Sequence, residues 1–282
     1  MSILFFLVAL LFLWQGTYIV LVDWLGIYKC YAFPSPLGVG QKLVELWHRG
    51  TLGQIIGNSL LRGLQGYLVA IVIGVLLGVL LYRSKYLQKN LRPLILGVQT
   101  LPSVCWVPFS ILWFGLSEHA ILFVVIMGSS FGIAIGVDQA MQHVAPIHKK
   151  VAYTMGANQW QLYTKVIFHA ALPEFVMVLK QGWSFAWRSL MAGEVMTTSI
   201  GLGQTLVTGR DLADINQVAL VMLLIIGIGV CIDQCFFTVV ENHLLRTRGL
   251  LPEKKRGRVV VYTKRVLRWG YGLVGGFAKS FS

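Results

Sequence analysis

Apolar residues run along this chain in long blocks with few charged interruptions. The blocks are Ile3–Val22, Ser59–Tyr82, Pro93–Gly115, His119–Met141, Pro173–Val195 and Asn216–Val240. A helix needs roughly 20 mostly apolar residues to cross a ~30 Å hydrocarbon core, so each block is read as a transmembrane span, about six in all. The first block lacks the basic start and small-x-small cleavage site of a signal peptide, and its apolar run is too long for one; it counts as a span. The pattern predicts an all-α membrane protein.

The segments between the blocks carry their own signals. In 23–57, Phe33-Pro34-Ser35-Pro36 breaks the chain. Ser35 then caps a short helix running through Trp47, with Pro36 at its first position. Leu37, Val44 and Trp47 share one face, which suits a helix lying at a membrane interface against lipid or an external protein. The third block contains Pro102 and Pro108, each of which removes a backbone donor and clashes with the preceding turn. Freed carbonyls are tolerable where they are buried in protein or line a watery cavity, so this span is a candidate for a translocation pathway; an ordinary packing kink is the alternative. Gly74-x-x-x-Gly78 and Gly128-x-x-x-Gly132-x-x-x-Gly136 predict close helix contacts. Gly128-Ser129-Ser130-Phe131-Gly132 matches the G-x-S-x-G elbow of hydrolases in letters only, because an apolar helix supplies neither the strand–turn–helix context nor the His/Asp pair.

The segment 142–172 is far longer than an ordinary helix–helix connection, which points to a functional loop. It predicts two short helices. One runs from about Pro146 to Met155 and ends at Gly156, a residue free to adopt the left-handed conformation. Asn158 then caps a second, with Gln161 completing a capping box. Trp160, Tyr163, Ile167 and Ala170 share its apolar face, and Pro173 is expected to stop it. Aromatic residues near the tip of such a helix–turn–helix are typical anchors for a protein partner.

Composition agrees with the pattern. Hydrophobic residues make up 56% of the 282 positions and charged residues only 12%, with a mean hydropathy of +0.70. A soluble domain carries about a quarter charged residues. The net charge of +13 would suggest nucleic acid in a soluble protein, but its distribution points elsewhere. Arg83, Lys85, Lys89, Arg92, Lys149, Lys150, Lys165 and the whole tail beyond Glu241 fall on one side of the predicted topology. The other side has Lys29, Lys42, Arg49 and Arg210. The positive-inside rule therefore puts both termini in the cytoplasm. The tail residues Lys254, Lys255, Arg256, Arg258, Lys264, Arg265 and Arg268, followed by Trp269, Tyr271 and Phe277, suit an anionic lipid surface. Nucleic acid is a poor partner for a tail beside six spans.

Little catalytic or metal chemistry is visible. Cys30, Cys105, Cys231 and Cys235 form neither a disulfide framework nor a zinc spacing and read as packing residues. No phosphate-binding loop, HExxH or paired-carboxylate constellation occurs, so no cofactor and no metal is expected, and any energy for transport must come from a partner or an ion gradient. Asp138, Lys180, Arg188, Glu194 and Asp233 lie in or at the ends of spans, where ionised groups are costly unless paired or wet. Lys180 can snorkel to the interface, and Asp138 and Asp233 can pair locally. Arg188 and Glu194 lie deeper; an Arg facing a central cavity suits an oxyanion, and a structural ion pair is the other reading.

Lys150-Val151-Ala152-Tyr153-Thr154-Met155-Gly156-Ala157, continuing to Leu172-Pro173, resembles the E-A-A-x-x-x-G-A…L-P cytoplasmic loop of ATP-binding-cassette importer permeases. Pro102…Trp106-Val107-Pro108…Ile111-Leu112-Trp113-Phe114-Gly115 resembles the third-span signature of the nitrate, sulfonate, taurine and bicarbonate branch. Ala186-Trp187-Arg188…Ala192-Gly193-Glu194, Gly201-Leu202-Gly203 and Phe33-Pro34-Ser35-Pro36 resemble further parts of that branch. The resemblance covers Phe33 to Arg248 and implies a type I (MetI-like) permease fold. It implies that Lys150, Val151, Ala152, Met155, Gly156, Ala157, Asn158 and Trp160 form a coupling loop docking on an ATPase subunit; with the proline break and the membrane charges above, the candidates for the pathway are Pro102, Trp106, Pro108, Arg188 and Glu194. Its further implications are two ATPase copies, a second permease copy, a periplasmic substrate-binding protein and a small anionic solute. Two positions depart from the family: the motif glutamate falls on Lys150, and an expected Leu-Pro falls on Phe168-His169.

The expected organisation is a first span at 1–22, a periplasmic segment at 23–57, a permease core at 58–248 with its coupling loop at 142–172, and a basic cytoplasmic tail at 249–282. A gradient-driven secondary carrier is the alternative function; it would call for internal repeats and membrane carboxylates, and no repeat is visible.

Overall fold

The computed structural model describes residues 2–26, 29 and 32–247, and every regular element among them is helical. Cys30 and the basic tail 249–282 lie outside the described residues. The chain divides into two units, Met1–Val239 and Val240–Ser282, and the described part of the second, through Thr247, is helical.

α1 (Ser2–Tyr18) runs on through a π-helical stretch to Trp24. α2 (Pro36–His48) precedes the long α3 (Thr51–Arg83). α4 (Lys85–Gln99) and α5 (Val107–Phe114) flank a single 3-10 turn, Ser103–Trp106. α6 (Glu118–Gln142), α7 (Pro146–Thr154), α8 (Gln159–Gln161) and α9 (Phe168–Met196) follow, with a π-helical stretch, Leu162–Ile167, joining the last two. The described chain closes with α10 (Leu202–Asp211), α11 (Ile215–Ile232) and α12 (Thr238–Thr247). Four continuous helices are long and apolar enough to cross a membrane: α3, α6, Gln159–Met196 and Ile215–Thr247. α4 and the stretch Ser103–Phe114 are together apolar enough for a fifth crossing but are bent by 98° at the break, the shape of a broken span or a re-entrant loop. The first apolar block is covered by α1 and its π-helical extension, whose described apolar part, Val8–Trp24, is shorter than these spans.

α6 is the central helix, packed between α3 and α9. It is apolar all round, as a helix enclosed by others should be; Ile121, Val124, Val125, Ile133 and Ala134 are completely buried. Small residues set the spacing. A Cβ on Gly78 would lie 2.6 Å from the Ala134 carbonyl oxygen, and one on Gly74 would lie 2.7 Å from Ile133 Cβ. On the other side of α6, Gly128, Gly132 and Gly136 face Ser189, Phe185 and Val178 of α9. Both predicted glycine motifs are thus contact surfaces within one protomer, where close backbones gain dispersion contacts that lipid does not supply. The outer faces of α3 and α11 are exposed and apolar, including Leu64, Leu68, Leu76, Met222 and Ile226.

Three expectations are corrected. The third apolar block is irregular as expected, but its two helices meet at a break that Pro108 does not cause. Pro108 stands in the first turn of α5, where its missing N–H has no helical acceptor to lose, so it frees no carbonyl. The break falls earlier, where Thr100 and Leu101 close on Gly97 and Val98 and Pro102 turns extended. The basic stretch between the second and third apolar blocks, a connection by the sequence pattern, is mostly helical: α3 runs to Arg83 and α4 starts at Lys85, capped by Ser84, whose hydroxyl accepts from the Leu87 amide at 3.3 Å. Finally, Pro173 does not stop a helix, and Gln159–Met196 continues through it for 38 residues. Tertiary packing on α6 outweighs the ~3 kcal/mol that an internal proline costs.

α2 forms as its sequence predicts, with the Ser35 hydroxyl accepting from the Gly38 amide at 3.0 Å. It buries Val39 and Leu46 against Leu52 and Leu220 and leaves Leu37, Val44 and Trp47 outward. Lys42 ties it to Asp214, the N-cap of α11, at 2.9 Å. The hydrogen bond to Asp214 is the main reason Lys42 is held above 10.5. For Asp214, partial burial acts upward, but bonds from Lys42 and the Gln217 amide outweigh it and hold the carboxyl below 3.8.

The α3–α6 contact predicts that Gly78→Ala lowers stability by about 1–3 kcal/mol through overpacking. Gly57→Ala, in the same helix with nothing within 4 Å of the added carbon, should be neutral or mildly stabilising, as thermal unfolding in detergent will read. The Lys42–Asp214 tie should give α2 a flat docking strength between about pH 5 and 10. Its acid contribution is present above the unfolded carboxyl value and lost as pH falls through the lower folded one; its basic contribution is lost as pH rises through the raised lysine value. Hydrogen exchange of α2 across pH should show both limbs, and Asp214→Asn, which keeps the N-cap, should remove the acid one.

Candidate functional site

Two regions bring the candidate residues together, a surface turn at one end of the bundle and the broken span with α9.

In the turn, α7 closes in a Schellman motif: the Ala157 amide donates to the Ala152 carbonyl and the Gly156 amide to Tyr153, both at 3.0 Å. Gly156 sits at φ +79°, the left-handed position that glycine takes without a Cβ clash. Asn158 and Gln161 then complete the predicted capping box, with Asn158 Oδ1 accepting from the Gln161 amide at 2.8 Å and Gln161 Oε1 from the Asn158 amide at 3.1 Å. Ala152, Leu162 and Ile167 anchor the turn in the main core. What remains outside is apolar: Ile147, Val151, Tyr153, Met155 (81% exposed) and Trp160 (70% exposed). Lys150 and Asn158 are exposed beside them, and Ala157 is half-buried. The expected face is modified, since Leu162 and Ile167 point inward while Trp160 points out. The wider hydrogen-bonded turn at Leu162–Ile167 shifts the register between the residues before and after it. From Gln142 to Leu172 there is no acidic residue. Because the second helix continues unbroken to Met196, this turn is mechanically one piece with a membrane span.

Along the α9 span, Gln181, Ser184 and Arg188 are exposed at spacings of three and four, forming a polar stripe on a helix that should otherwise face apolar surroundings. Arg188 Nε donates to the Ser184 carbonyl at 3.1 Å, and its guanidinium lies 5.1 Å from the centre of the Phe185 ring. Phe185 and Gln99, the last residue of α4, both approach Gly132, so Arg188 lies near the break in the span. Pro102 is exposed at that break and Pro108 is exposed at the start of α5. Trp106 is half-buried between Phe109 and Phe123, ring centres 6.2 and 6.4 Å away.

Glu194 is placed differently. It is fully buried in a polar knot at the α2 end of the bundle. The Ser59 hydroxyl lies 2.8 Å from both carboxylate oxygens, the Gly203 amide donates at 2.9 Å and Arg62 Nη1 at 3.3 Å. Arg62 also donates to the Ile200 carbonyl at 2.9 Å and to Glu118 at 2.7 Å, and the Leu202 amide donates to Ser59 Oγ at 2.8 Å. Gly201 and Gly203 are required here, because a Cβ on either would come within 2.5 Å of Glu194 atoms. The knot ties α3, α6, α9 and the loop before α10 together. Ser59, Arg62 and Glu118 were absent from the sequence-based candidates. The available signal was Arg62 itself, an arginine inside an apolar block that needs an acid near it.

Other membrane charges are also paired. Asp138 accepts from Gln142 at 2.7 Å and lies 3.4 Å from Arg92 of α4. Lys180, expected to snorkel, lies 3.4 Å from Asp233 and 3.1 Å from Thr238 Oγ1.

A bundle of helices long and apolar enough to cross a membrane, with a sharply bent pair beside a polar stripe, defines the class: a multi-pass membrane protein. Residues 70–246 match the family described as binding-protein-dependent transport system inner membrane component, and the chain belongs to that family. It is 26% identical over 237 residues to a putative aliphatic sulfonates transport permease protein of Bacillus subtilis, covering 84% of each chain. It is 24% identical to a nitrate import permease protein of Synechocystis (68% of this chain, 69% of that one). With a taurine transport system permease protein of Escherichia coli the identity is 26% (68% and 74%). A chain of the solved inward-facing MetNI methionine transporter superposes with a TM-score of 0.61 at 19% identity, covering 69% of this chain and 96% of that one, which fixes the fold. The chain is a permease subunit of an ATP-binding-cassette importer, and the secondary-carrier alternative falls with that membership.

The knot predicts a pattern of coupled effects. Arg62→Met leaves a buried carboxylate unpaired and should cost about 3–5 kcal/mol. Arg62→Met with Glu194→Gln removes the charge but keeps acceptors for Ser59 and Gly203, so most of that loss should return in a detergent thermal melt.

Proposed function

We propose that this subunit works as one of two identical permease copies carrying a small oxyanion of the nitrate, sulfonate, taurine or bicarbonate kind inward across the bacterial inner membrane. Both termini and the α7–α8 turn face the cytoplasm. Two separate ATPase subunits bind the two turns and hydrolyse the ATP; the permease itself carries no ATPase site. A periplasmic binding protein delivers the solute to the α2 end.

The observation that carries this reading is the continuous helix Gln159–Met196. One end begins at an exposed apolar turn, and Arg188 lies 29 residues beyond Gln159. A displacement of the turn by a closing ATPase dimer is transmitted along that helix to the stripe and the adjoining break at Pro102. Arg188 faces the pathway formed between the copies, and its planar fork suits an oxyanion. Trp106 and its aromatic neighbours brace the short helix beyond the break. Pro108 starts that helix, and Glu194 acts as a structural anchor at the outer mouth. Residues 1–22 form a first span, 23–57 an external segment with α2 at the interface, 58–248 the working core with 142–172 as its coupling loop, and 249–282 a basic cytoplasmic tail on the inner leaflet.

The relatives named above are described as permeases for sulfonates, nitrate and taurine, and the basic stripe residue supports the same class of cargo here. Lys150 stands where the family has glutamate, so the ATPase partner is expected to present an acidic residue in its groove.

Transport by proteoliposomes holding the permease, its ATPase and its binding protein tests the reading; uptake without the ATPase would overturn it. Met155→Ala with Trp160→Ala should weaken ATPase binding at least tenfold, the loss typical of buried apolar anchors. Lys150→Glu should reduce coupled ATP hydrolysis with the native ATPase. Arg188→Ala should abolish uptake while leaving the complex assembled, and Arg188→Lys should restore only part of it.

A further inference from the structure

A groove of about 660 Å³ opens between α3, the end of α6 and the first turns of the Gln159–Met196 helix. Ile71, Val75 and Val79 of α3 form one wall, and Leu172, Val176 and Leu179 of α9 the other. No carboxylate lines it. From Arg83 to Ile71 is twelve residues, roughly 18 Å of helix, which is the inner half of a hydrocarbon core.

The mouth has a different chemistry. Arg83 lines it, with its guanidinium 5.9 Å from the centre of the Tyr163 ring. Lys149 Nζ lies 5.4 Å from the Tyr82 ring. Among the described residues neither cation has a carboxylate partner; both rest on aromatic faces, which orient a cation without neutralising it. An apolar slot of leaflet depth with two uncompensated cations at its rim matches an amphiphile with an acidic head.

We propose that this groove binds one anionic phospholipid of the inner leaflet, with an acyl chain between α3 and α9 and its phosphate between Arg83 and Lys149. The proposal rests on the orientation given above. The basic tail of this chain is a poor occupant, since Lys254, Lys255, Arg256 and Arg258 would meet like charge at the rim. Tyr163, Thr164 and Trp160 border the same groove, so the lipid braces the helix that leaves the coupling turn against α3. An empty groove leaves that helix less well supported, and coupling then depends on the acidic lipid content of the membrane.

The test uses the purified full-length permease, without ATPase or substrate. Native mass spectrometry and thermal melts are run with phosphatidylglycerol and, separately, phosphatidylcholine of identical chains. The wild type should retain phosphatidylglycerol with about a thirtyfold preference, the factor expected from two cations near the headgroup. Arg83→Gln with Lys149→Gln should equalise the two lipids, and Val176→Trp, which fills the slot, should abolish retention of both. A phosphatidylglycerol bearing a photoreactive acyl chain should label Ile71–Tyr82 and Leu172–Leu179 in the wild type, a readout that needs no variant to fold. Equal retention of the two lipids by the wild type, labelling elsewhere, or cross-linking of the groove to a second copy would each overturn the proposal. Accessibility of a cysteine placed at Met155 in sealed vesicles reads the orientation separately, so its failure is distinguishable from a failure of the lipid site.

Discussion

The approach of α3 to α6, with Gly74 and Gly78 set against the backbone of the central helix, is the contact on which the remaining architecture depends. Lipid offers an apolar side chain nearly as good an environment as another helix does, so burial alone cannot hold such a bundle together. Close packing can, and it requires the absence of a Cβ at a few positions. α6 uses the same device on its other side toward α9. Once α6 is fixed between its neighbours, the ends of α3 and α9 are brought near enough for polar groups far apart in the chain to meet.

The polar knot is the main consequence. A buried carboxylate and a buried guanidinium are each unfavourable inside a protein, and the pair is tolerable because Ser59, the Gly203 amide and the Ile200 carbonyl occupy the remaining bonding positions. Its contribution is as much to specificity as to stability: it admits one arrangement of the loop before α10 over α3. The Asp138–Arg92 and Lys180–Asp233 pairs place the other charges at helix–helix contacts. Arg188 differs from these, since it is exposed and, among the described residues, contacts Ser184 and Phe185 of its own helix. A charge left in that state within a span is the natural place to look for a solute of opposite sign.

At the other end of the bundle the design is reversed. The Schellman motif and the capping box stiffen a turn whose outward surface is largely apolar, so the energy of local hydrogen bonding is used to present a patch left exposed among the described residues. The turn then continues as a membrane helix without a joint. The apolar groove lies against that same helix, so the exposed turn, the polar stripe and the groove share one continuous element.

Much of this was legible in the residues. The apolar blocks, Ser35 as a cap, Gly156 as a left-handed stop and the Asn158–Gln161 box all depend on interactions within a few positions, and local sequence encodes them. The glycine spacing announced close contacts because no side chain but hydrogen permits them. What the sequence could not decide were outcomes set by distant partners. Pro173 looks like a helix stop until packing on α6 carries the helix through it. Pro108 looks like a kink until the break forms six residues earlier. Glu194 and Arg188, six positions apart on one helix, have opposite surroundings because only Glu194 turns toward Ser59 and Arg62. Periodicity places a residue on a face, but what that face meets is decided by which helix the glycines allow to come near.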